Sequence, residues 1–224
     1  MNINELYVSQ ETKFEKYMNI LLDWNSKINL TAITEKEDII LKHFKDSLSV
    51  EKHIPSGAKV IDVGTGAGFP GVPLKIVRND ISLTLLDSLN KRIKFLDELL
   101  KELDINDVET VHSRAEEAGH NKAYREQYDI AISRAVANLS VLSEYLLPFV
   151  KVGGYAICMK GLNIEEELNN SKTAIKELGG EIERIENFKL ETTDIERNII
   201  LIKKVKPISG KYPRKPGTPT NDPL

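Results

Sequence analysis

The chain is expected to fold as an α/β protein with a largely parallel sheet, and three observations predict it. Beyond Pro55-Ser56-Gly57, short β-rich runs alternate with helical stretches, the pattern of parallel strands joined by crossover helices. The decapeptide Asp62-Val63-Gly64-Thr65-Gly66-Ala67-Gly68-Phe69-Pro70-Gly71 follows the first of these runs and precedes a helix. Between the second and third runs, Leu89, Ile93, Leu96, Leu99, Leu100 and Leu103 fall on one side of a helix whose other sides carry Lys91, Arg92, Lys94 and Glu98. Such a helix covers one face of a sheet.

The elements follow in order. Phe14, Tyr17, Met18, Leu21, Leu22 and Trp24 lie near helical spacing from Glu11 to Leu30, and Thr34 with Glu37 reads as a capping box opening a helix towards Val50. The strands are expected at Lys59 to Val63, Leu83 to Leu86, Val108 to Val111 and Tyr128 to Ile132. Asn138 to Leu147 reads as a helix ended by Pro148, with Gly153-Gly154 as a turn into a strand from Tyr155 to Met159. Glu181 to Leu190 and Arg197 to Val205 suit two further strands joined through Thr192-Thr193-Asp194, and the Pro-, Lys- and Arg-rich end suits an extended tail.

At 224 residues and 41% hydrophobic composition, one domain with an appendage is expected. No run approaches the ~18 apolar residues of a membrane span, and the N-terminus is acidic and polar, so the expected place is the cytoplasm. Cys158 is the single cysteine and no Cys/His cluster has ligand spacing, so neither an internal disulfide nor a metal site is expected. A net charge of -3 excludes indiscriminate coating of nucleic acid and leaves only local basic segments for RNA.

Glycines at Gly64, Gly66 and Gly68 let the backbone turn sharply and approach a ligand without intervening Cβ atoms. The spacing Gly66 to Gly71 also satisfies the dinucleotide fingerprint, so two ligand classes compete. Asp62 favours one of them: a carboxylate at the strand end repels a pyrophosphate and suits the amino group and sulfonium of S-adenosylmethionine. Asp87, about 20 residues past the turn, is placed to accept ribose hydroxyls in either class. Ser113-Arg114-Ala115-Glu116 offers an amide and a carboxylate to an adenine edge, or more simply a helix N-cap. Ser133-Arg134-Ala135 stands at the carboxyl edge, where doubly wound folds bind ligands, and its arginine suits cofactor, RNA or a structural ion pair.

Seven segments together resemble the glucose-inhibited division protein B family of small-subunit ribosomal RNA guanine-N7 methyltransferases. They are W-N-x-K-I-N-L-T (Trp24 to Thr31), H-F-K-D-S (His43 to Ser47), the glycine decapeptide, L-L-D-S (Leu85 to Ser88), S-R-A-E (Ser113 to Glu116), I-S-R-A (Ile132 to Ala135) and K-Y-P-R-K-P-G-T-P (Lys211 to Pro219). The resemblance spans nearly the whole chain, with Phe69 where some members have leucine. It implies a class I S-adenosylmethionine-dependent methyltransferase fold, Rossmann-like, with an N-terminal helical extension (1–55), a methyltransferase domain (56–206) ending in a β-hairpin, and a basic tail (207–224). It further implies cofactor contacts at Gly64, Phe69, Ala115, Glu116 and Arg134; Asp62, Gly66, Gly68, Asp87 and Ser88 complete the expected site.

Guanine N7 carries a free lone pair, so attack on a sulfonium methyl needs no prior proton removal. The sequence lacks the Asp-Pro-Pro-Tyr or Asn-Pro-Pro-Tyr run suited to exocyclic amines, and Cys158 sits in an apolar strand, poorly placed as a nucleophile. RNA of the small subunit, free or in a 30S particle, is the expected partner. Arg134, Lys204, Lys211, Arg214 and Lys215 are its expected contacts, since no acidic residue interrupts the chain between Lys203 and Gly217. His43 and Asp46, one helical turn apart, read as a structural pair near the ligand cleft.

Overall fold

The computed structural model describes residues 2–134, 137–190 and 193–224. Ala135 of the fourth-strand motif and Thr192 of the last connection lie outside the described residues. Helix α1 (Ile3–Val8) starts at Asn2, whose side chain accepts the Glu5 N–H while the Glu5 carboxylate accepts the Asn2 N–H. Helix α2 (Glu11–Ile28) ends at Asn29 in the left-handed region. The capping box expected of Thr34 and Glu37 does not form: α3 (Lys36–Ile39) begins after Glu35 with no side-chain cap. It widens into a π-helical stretch, Ile40–Lys45, before α4 (Asp46–Leu48).

The sheet then builds as β1 (Lys59–Val63), α5 (Gly71–Val77), β2 (Ser82–Asp87), α6 (Asn90–Glu102), β3 (Val108–His112), α7 (Ala115–Ala118), β4 (Tyr128–Arg134), α8 (Leu139–Leu146) and β5 (Val150–Lys160). It ends with α9 (Glu165–Glu177), β6 (Gly180–Lys189), β7 (Glu196–Lys204) and α10 (Thr218–Asn221). The strand order is β3-β2-β1-β4-β5-β7-β6, with β7 antiparallel to both its neighbours. This is the expected Rossmann-like sheet with a terminal hairpin. The Gly153-Gly154 pair is not a turn before a strand. It lies within β5, where the pairing with β4 slips between Tyr128 and Ile130 and Gly153 takes φ +90°. Helix α9 went unread, because Glu165–Glu177 buries only Ser171, Ala174 and Ile175.

Alternate residues of β1 feed two apolar layers, as a strand's two-residue period requires. Val60 joins the layer that contains Phe14, Tyr17, Leu21 and Phe44 of the extension with Phe95, Leu96 and Leu99 of α6. Ile61 and Val63 join Leu142 and Leu146 of α8, Leu178, Ile200 and Tyr212. The two ends of the chain therefore cover opposite faces. The end of the chain is not a free extended tail. Arg125 donates to the carbonyls of Ile208, Ser209 and Tyr212, Tyr212 is buried, and Pro213 packs where a side chain on Gly119 would have to go. Among the described residues no helix is long and apolar enough to cross a membrane.

Candidate functional site

The turn after β1 is held from below. Asp62 is fully buried, and its Oδ2 accepts the Thr65 hydroxyl at 2.7 Å and the Gly71 N–H at 2.8 Å. Its Oδ1 has no partner. Burial raises the Asp62 carboxyl to about 7, against the pull of those two hydrogen bonds. Asp62 was expected to meet the ligand's amino group; its carboxylate instead lies under the turn and lines neither cavity of the cleft described below. Gly68 is also on the underside: at φ +93°, a Cβ there would sit 2.7 Å from the Tyr17 hydroxyl. That hydroxyl donates to the Ala67 carbonyl, tying α2 to the turn. Gly66 faces the other way, with φ +62° and open space where its Cβ would be. Backbone and ligand can therefore meet there.

Above the turn lies a cleft of two lobes. The larger, about 430 Å³, is lined by Leu30, Thr31, His43, Gly64, Thr65, Gly66, Ala67, Phe69, Asp87, Ser88, Arg92 and Arg134. The smaller, about 150 Å³, is lined by Val63, Gly64, Leu86, Asp87, Ser88, Ser113, Arg114, Ala115, Glu116 and Tyr145. Gly64, Asp87 and Ser88 belong to both, so the lobes meet at the ends of β1 and β2. Asp87 is nearly buried and accepts the Gly66 and Leu89 N–H groups at 2.9 Å and the Arg92 guanidinium at 3.2 Å. The structure thus brings together eight of the ten expected cofactor residues, leaving Asp62 and Gly68 beneath.

The wall of the larger lobe is a packed set of aromatic and charged groups. Phe69 stacks on Tyr17 and on His43, with ring centroids 5.4 and 4.5 Å apart, and the Arg134 guanidinium lies 5.1 Å over its ring. Arg134 donates to the Lys42 carbonyl, the Asp46 carboxylate and His43 Nδ1. Because arginine is always a donor, His43 Nδ1 must be the bare nitrogen, and Nε2–H donates to the Thr31 hydroxyl at 2.8 Å. Burial and the Arg134 charge lower His43 to about 4. The side chains of the expected His43–Asp46 pair meet through Arg134, while the Asp46 N–H donates to the His43 carbonyl and the Asp46 carboxylate also receives Arg197 at 3.0 Å. Arg134 is committed to the protein's own acceptors, and its side chain is mostly buried.

The smaller lobe departs from the N-cap reading of Ser113 and Glu116. Arg114 is the N-cap of α7 without a side-chain bond, and the Ser113 hydroxyl donates to the Arg114 carbonyl. The Glu116 carboxylate is free of the helix start and accepts the Gly217 N–H at 3.0 Å. Thr31, Arg92 and Tyr145 were missed as lining residues. Thr31 ends the W-N-x-K-I-N-L-T segment and Arg92 follows Asp87 by five residues, signals that were present; nothing near Tyr145 marks it.

Of the expected RNA contacts Arg134 lines this cleft, whereas Lys204, Lys211, Arg214 and Lys215 line neither lobe. Lys204 is fully buried, donating to the Leu147 and Val150 carbonyls and pairing with Glu126, and burial lowers it to about 8. Its complete burial keeps it out of reach of RNA. Arg214 makes a forked pair with the buried Glu144, and Lys211, largely exposed, pairs with Glu177. Lys215 is exposed and has no carboxylate partner among the described residues.

A two-lobed cleft whose lobes meet at a buried carboxylate fits a nucleoside with a polar extension. Together the lobes fall in the ~300–1,000 Å³ range of small-molecule sites. S-adenosylmethionine fits such a donor set: a small lobe for adenine, Asp87 for ribose, and a polar lobe over Gly66 for the amino-acid end.

The model of the family described as rRNA small subunit methyltransferase G (GidB) matches residues 10–200. Relatives bearing the name "Ribosomal RNA small subunit methyltransferase G" include one from Acetivibrio thermocellus, 56% identical over 216 residues, covering 96% of this chain and 89% of the relative. Another, from Clostridium novyi, is 52% identical over 95% of this chain and 88% of the relative. A SAM-dependent methyltransferase from Aquifex aeolicus superposes with a TM-score of 0.56 at 17% identity, over 76% of this chain and 94% of that one. M. jannaschii TYW2 in complex with AdoMet gives 0.55 at 15% identity, over 73% and 77%. At these identities the two structures show the shared sheet alone. With its family model and its relatives agreeing over most of its length, the chain belongs to the rRNA small subunit methyltransferase G family and is a methyltransferase.

Proposed function

We propose that the protein methylates N7 of one guanine in small-subunit ribosomal RNA, with S-adenosylmethionine as donor. The observation that carries the reading is the two-lobed cleft joined at Asp87 above the Gly64–Gly68 turn. When bound, the donor supplies a methyl group on a sulfonium, which the N7 lone pair takes directly. The cleft's own residues support a reaction without a base. His43, the one imidazole in the wall, has its bare nitrogen filled by Arg134 and stays neutral down to about pH 4. Cys158 is buried, and burial pushes its thiol up to about 12, so it offers no thiolate. Catalysis then rests on orientation and desolvation. Asp87 and Glu116 hold the nucleoside, while the Phe69–His43–Arg134 stack sets a rigid wall beside the reacting end.

The division into extension (1–55), catalytic domain (56–206) and tail (207–224), and a cytoplasmic location, follow from the same reading. RNA approaches over the open mouth of the larger lobe, with the exposed Lys211 and Lys215 as outlying phosphate contacts. Incubation of the protein with labelled donor and small subunits lacking the modification, followed by nucleoside mapping, tests the proposal. Label on N7 of a single guanine is expected; label on another atom, or on no RNA, defeats it.

A further inference from the structure

The segment Lys211 to Pro219 reads as a basic RNA strap in sequence, yet its inward side is bonded to the smaller lobe. The Gly217 N–H donates to Glu116 Oε1 at 3.0 Å, and Thr220 shares a 2.9 Å hydrogen bond with the Tyr145 hydroxyl. Glu116 and Tyr145 both line that lobe. The segment is anchored just ahead of these contacts, at residues 212 to 214. Arg214 forks onto Glu144, which also accepts the Arg214 N–H at 2.7 Å. His120 Nε2 donates to the Pro213 carbonyl at 2.6 Å, and the Tyr212 hydroxyl donates to Glu177 at 2.5 Å. Gly217 takes φ +85°, a left-handed conformation that suits glycine and turns its N–H towards Glu116.

We propose that residues Gly217 to Thr220 are positioning residues of the donor site, fixing Glu116 and Tyr145 as the adenine-reading wall. This rests on the methyl-donor reading of the cleft. The carboxylate of Glu116 is an acceptor with two oxygens; the Gly217 amide engages Oε1 and sets the rotamer, leaving Oε2 for the exocyclic amine of adenine. A hypoxanthine ring presents a carbonyl oxygen at that place and meets the carboxylate acceptor to acceptor. A site built to receive a donor group rejects the analogue that lacks it far more strongly than a merely apolar pocket does. The tail thus confers base selectivity from outside the lobe, while Lys211, paired with Glu177, and Lys215 of the same segment are exposed.

The test is calorimetric, with S-adenosylhomocysteine and S-inosylhomocysteine as ligands and a small-subunit RNA fragment as a third. The full chain is expected to prefer the adenine ligand by at least about tenfold. A chain ending at Lys215 keeps Lys211, Arg214 and Lys215 but loses Gly217 and Thr220. Its preference is expected to fall below about threefold, its affinity for the adenine ligand to fall about tenfold, and its RNA affinity to stay within about twofold. In the full-length chain, Thr220→Val is expected to weaken adenine-ligand binding about two- to fivefold at an unchanged melting temperature. The proposal is overturned if both ligands weaken in parallel, if neither variant changes them, or if RNA affinity falls while the adenine ligand binds normally. Failure of the unaltered chain to bind S-adenosylhomocysteine would instead remove the methyl-donor reading itself.

Discussion

The two lobes of the cleft share a floor but are walled by opposite ends of the chain. The larger is closed by the N-terminal extension, through Thr31 and His43, and its wall is a continuous stack and ion-pair set around Arg134. The smaller is closed by α7 and α8, and the C-terminal segment touches its lining residues Glu116 and Tyr145 through one hydrogen bond each. One wall is buried and rigid; the other is set by contacts that a few residues can remove. On the proposed reading of the cleft, the methyl-bearing end would meet a preformed surface, whereas recognition of the base would depend on a detachable brace.

The largest effect is expected at the residue both lobes share. Asp87→Ala removes the ribose acceptor and frees the Gly66 and Leu89 amides. At about 1.5–3 kcal/mol per hydrogen bond to a charged group, S-adenosylhomocysteine affinity should fall roughly 100-fold or more by calorimetry. A loss under about tenfold would separate the lobes from their supposed junction.

Each wall has its own arginine, and trimming them compares the walls directly. Arg134→Ala leaves Asp46 to Arg197 and exposes the His43 nitrogen, while Arg214→Ala strips the buried Glu144 of its guanidinium and leaves it the backbone N–H of residue 214. Breaking a buried pair costs about 3–5 kcal/mol, so both variants should lose stability of this order in chemical denaturation. Only Arg134→Ala should also abolish methyl transfer at saturating donor. Equal loss of turnover in both would erase the distinction.

A titration sharpens the rigid wall further. In the folded chain His43 protonates near 4 instead of 6.5, so the unfolded state binds the proton first as pH falls. Its contribution is full above pH 6.5 and is lost between 6.5 and 4, worth about 3 kcal/mol by linkage. His43→Gln should flatten that part of the stability–pH curve. An unchanged slope would mean that His43 is not the buried neutral imidazole described.

The smallest effect concerns Asp62, whose folded carboxyl is raised to about 7 by burial. A raised acid favours the folded state at low pH and loses that advantage as pH rises from the ordinary carboxylate range through 7. A cationic ligand nearby prefers the ionised form. The affinity ratio of S-adenosylmethionine to S-adenosylhomocysteine should therefore rise a few-fold between pH 6 and 8. Asp62→Asn should remove the rise, and a ratio flat in the native chain would exclude any electrostatic role for Asp62.

Much of the sheet was legible because β1, β2 and β4 are short apolar runs bounded by turn residues. The glycine turn was legible because three glycines at alternate positions have few other uses. Asp87 was legible as an acid at a strand end, whereas Glu116, read from its own residues as part of a helix cap, entered the expected site only through the family resemblance. Lys204 was misread because its partner Glu126 and the Leu147 and Val150 carbonyls lie more than fifty residues away in sequence. The pairing of Lys211 and Arg214 was equally out of sight: no acid interrupts the run, but Glu177 and Glu144 meet it in space. A charge run states composition, and only the fold states neutralisation. The Thr34–Glu37 box failed differently, since Glu35 supplies the extended residue before the helix and local pattern cannot choose between neighbours.

The most direct test is a crystal structure of the protein with S-adenosylhomocysteine. The account predicts adenine beside Ala115, Glu116 and Tyr145, ribose hydroxyls on Asp87, and the amino-acid end over Gly66 facing Thr31 and Arg134. A ligand lying the other way round, or one that leaves either lobe empty, would contradict it.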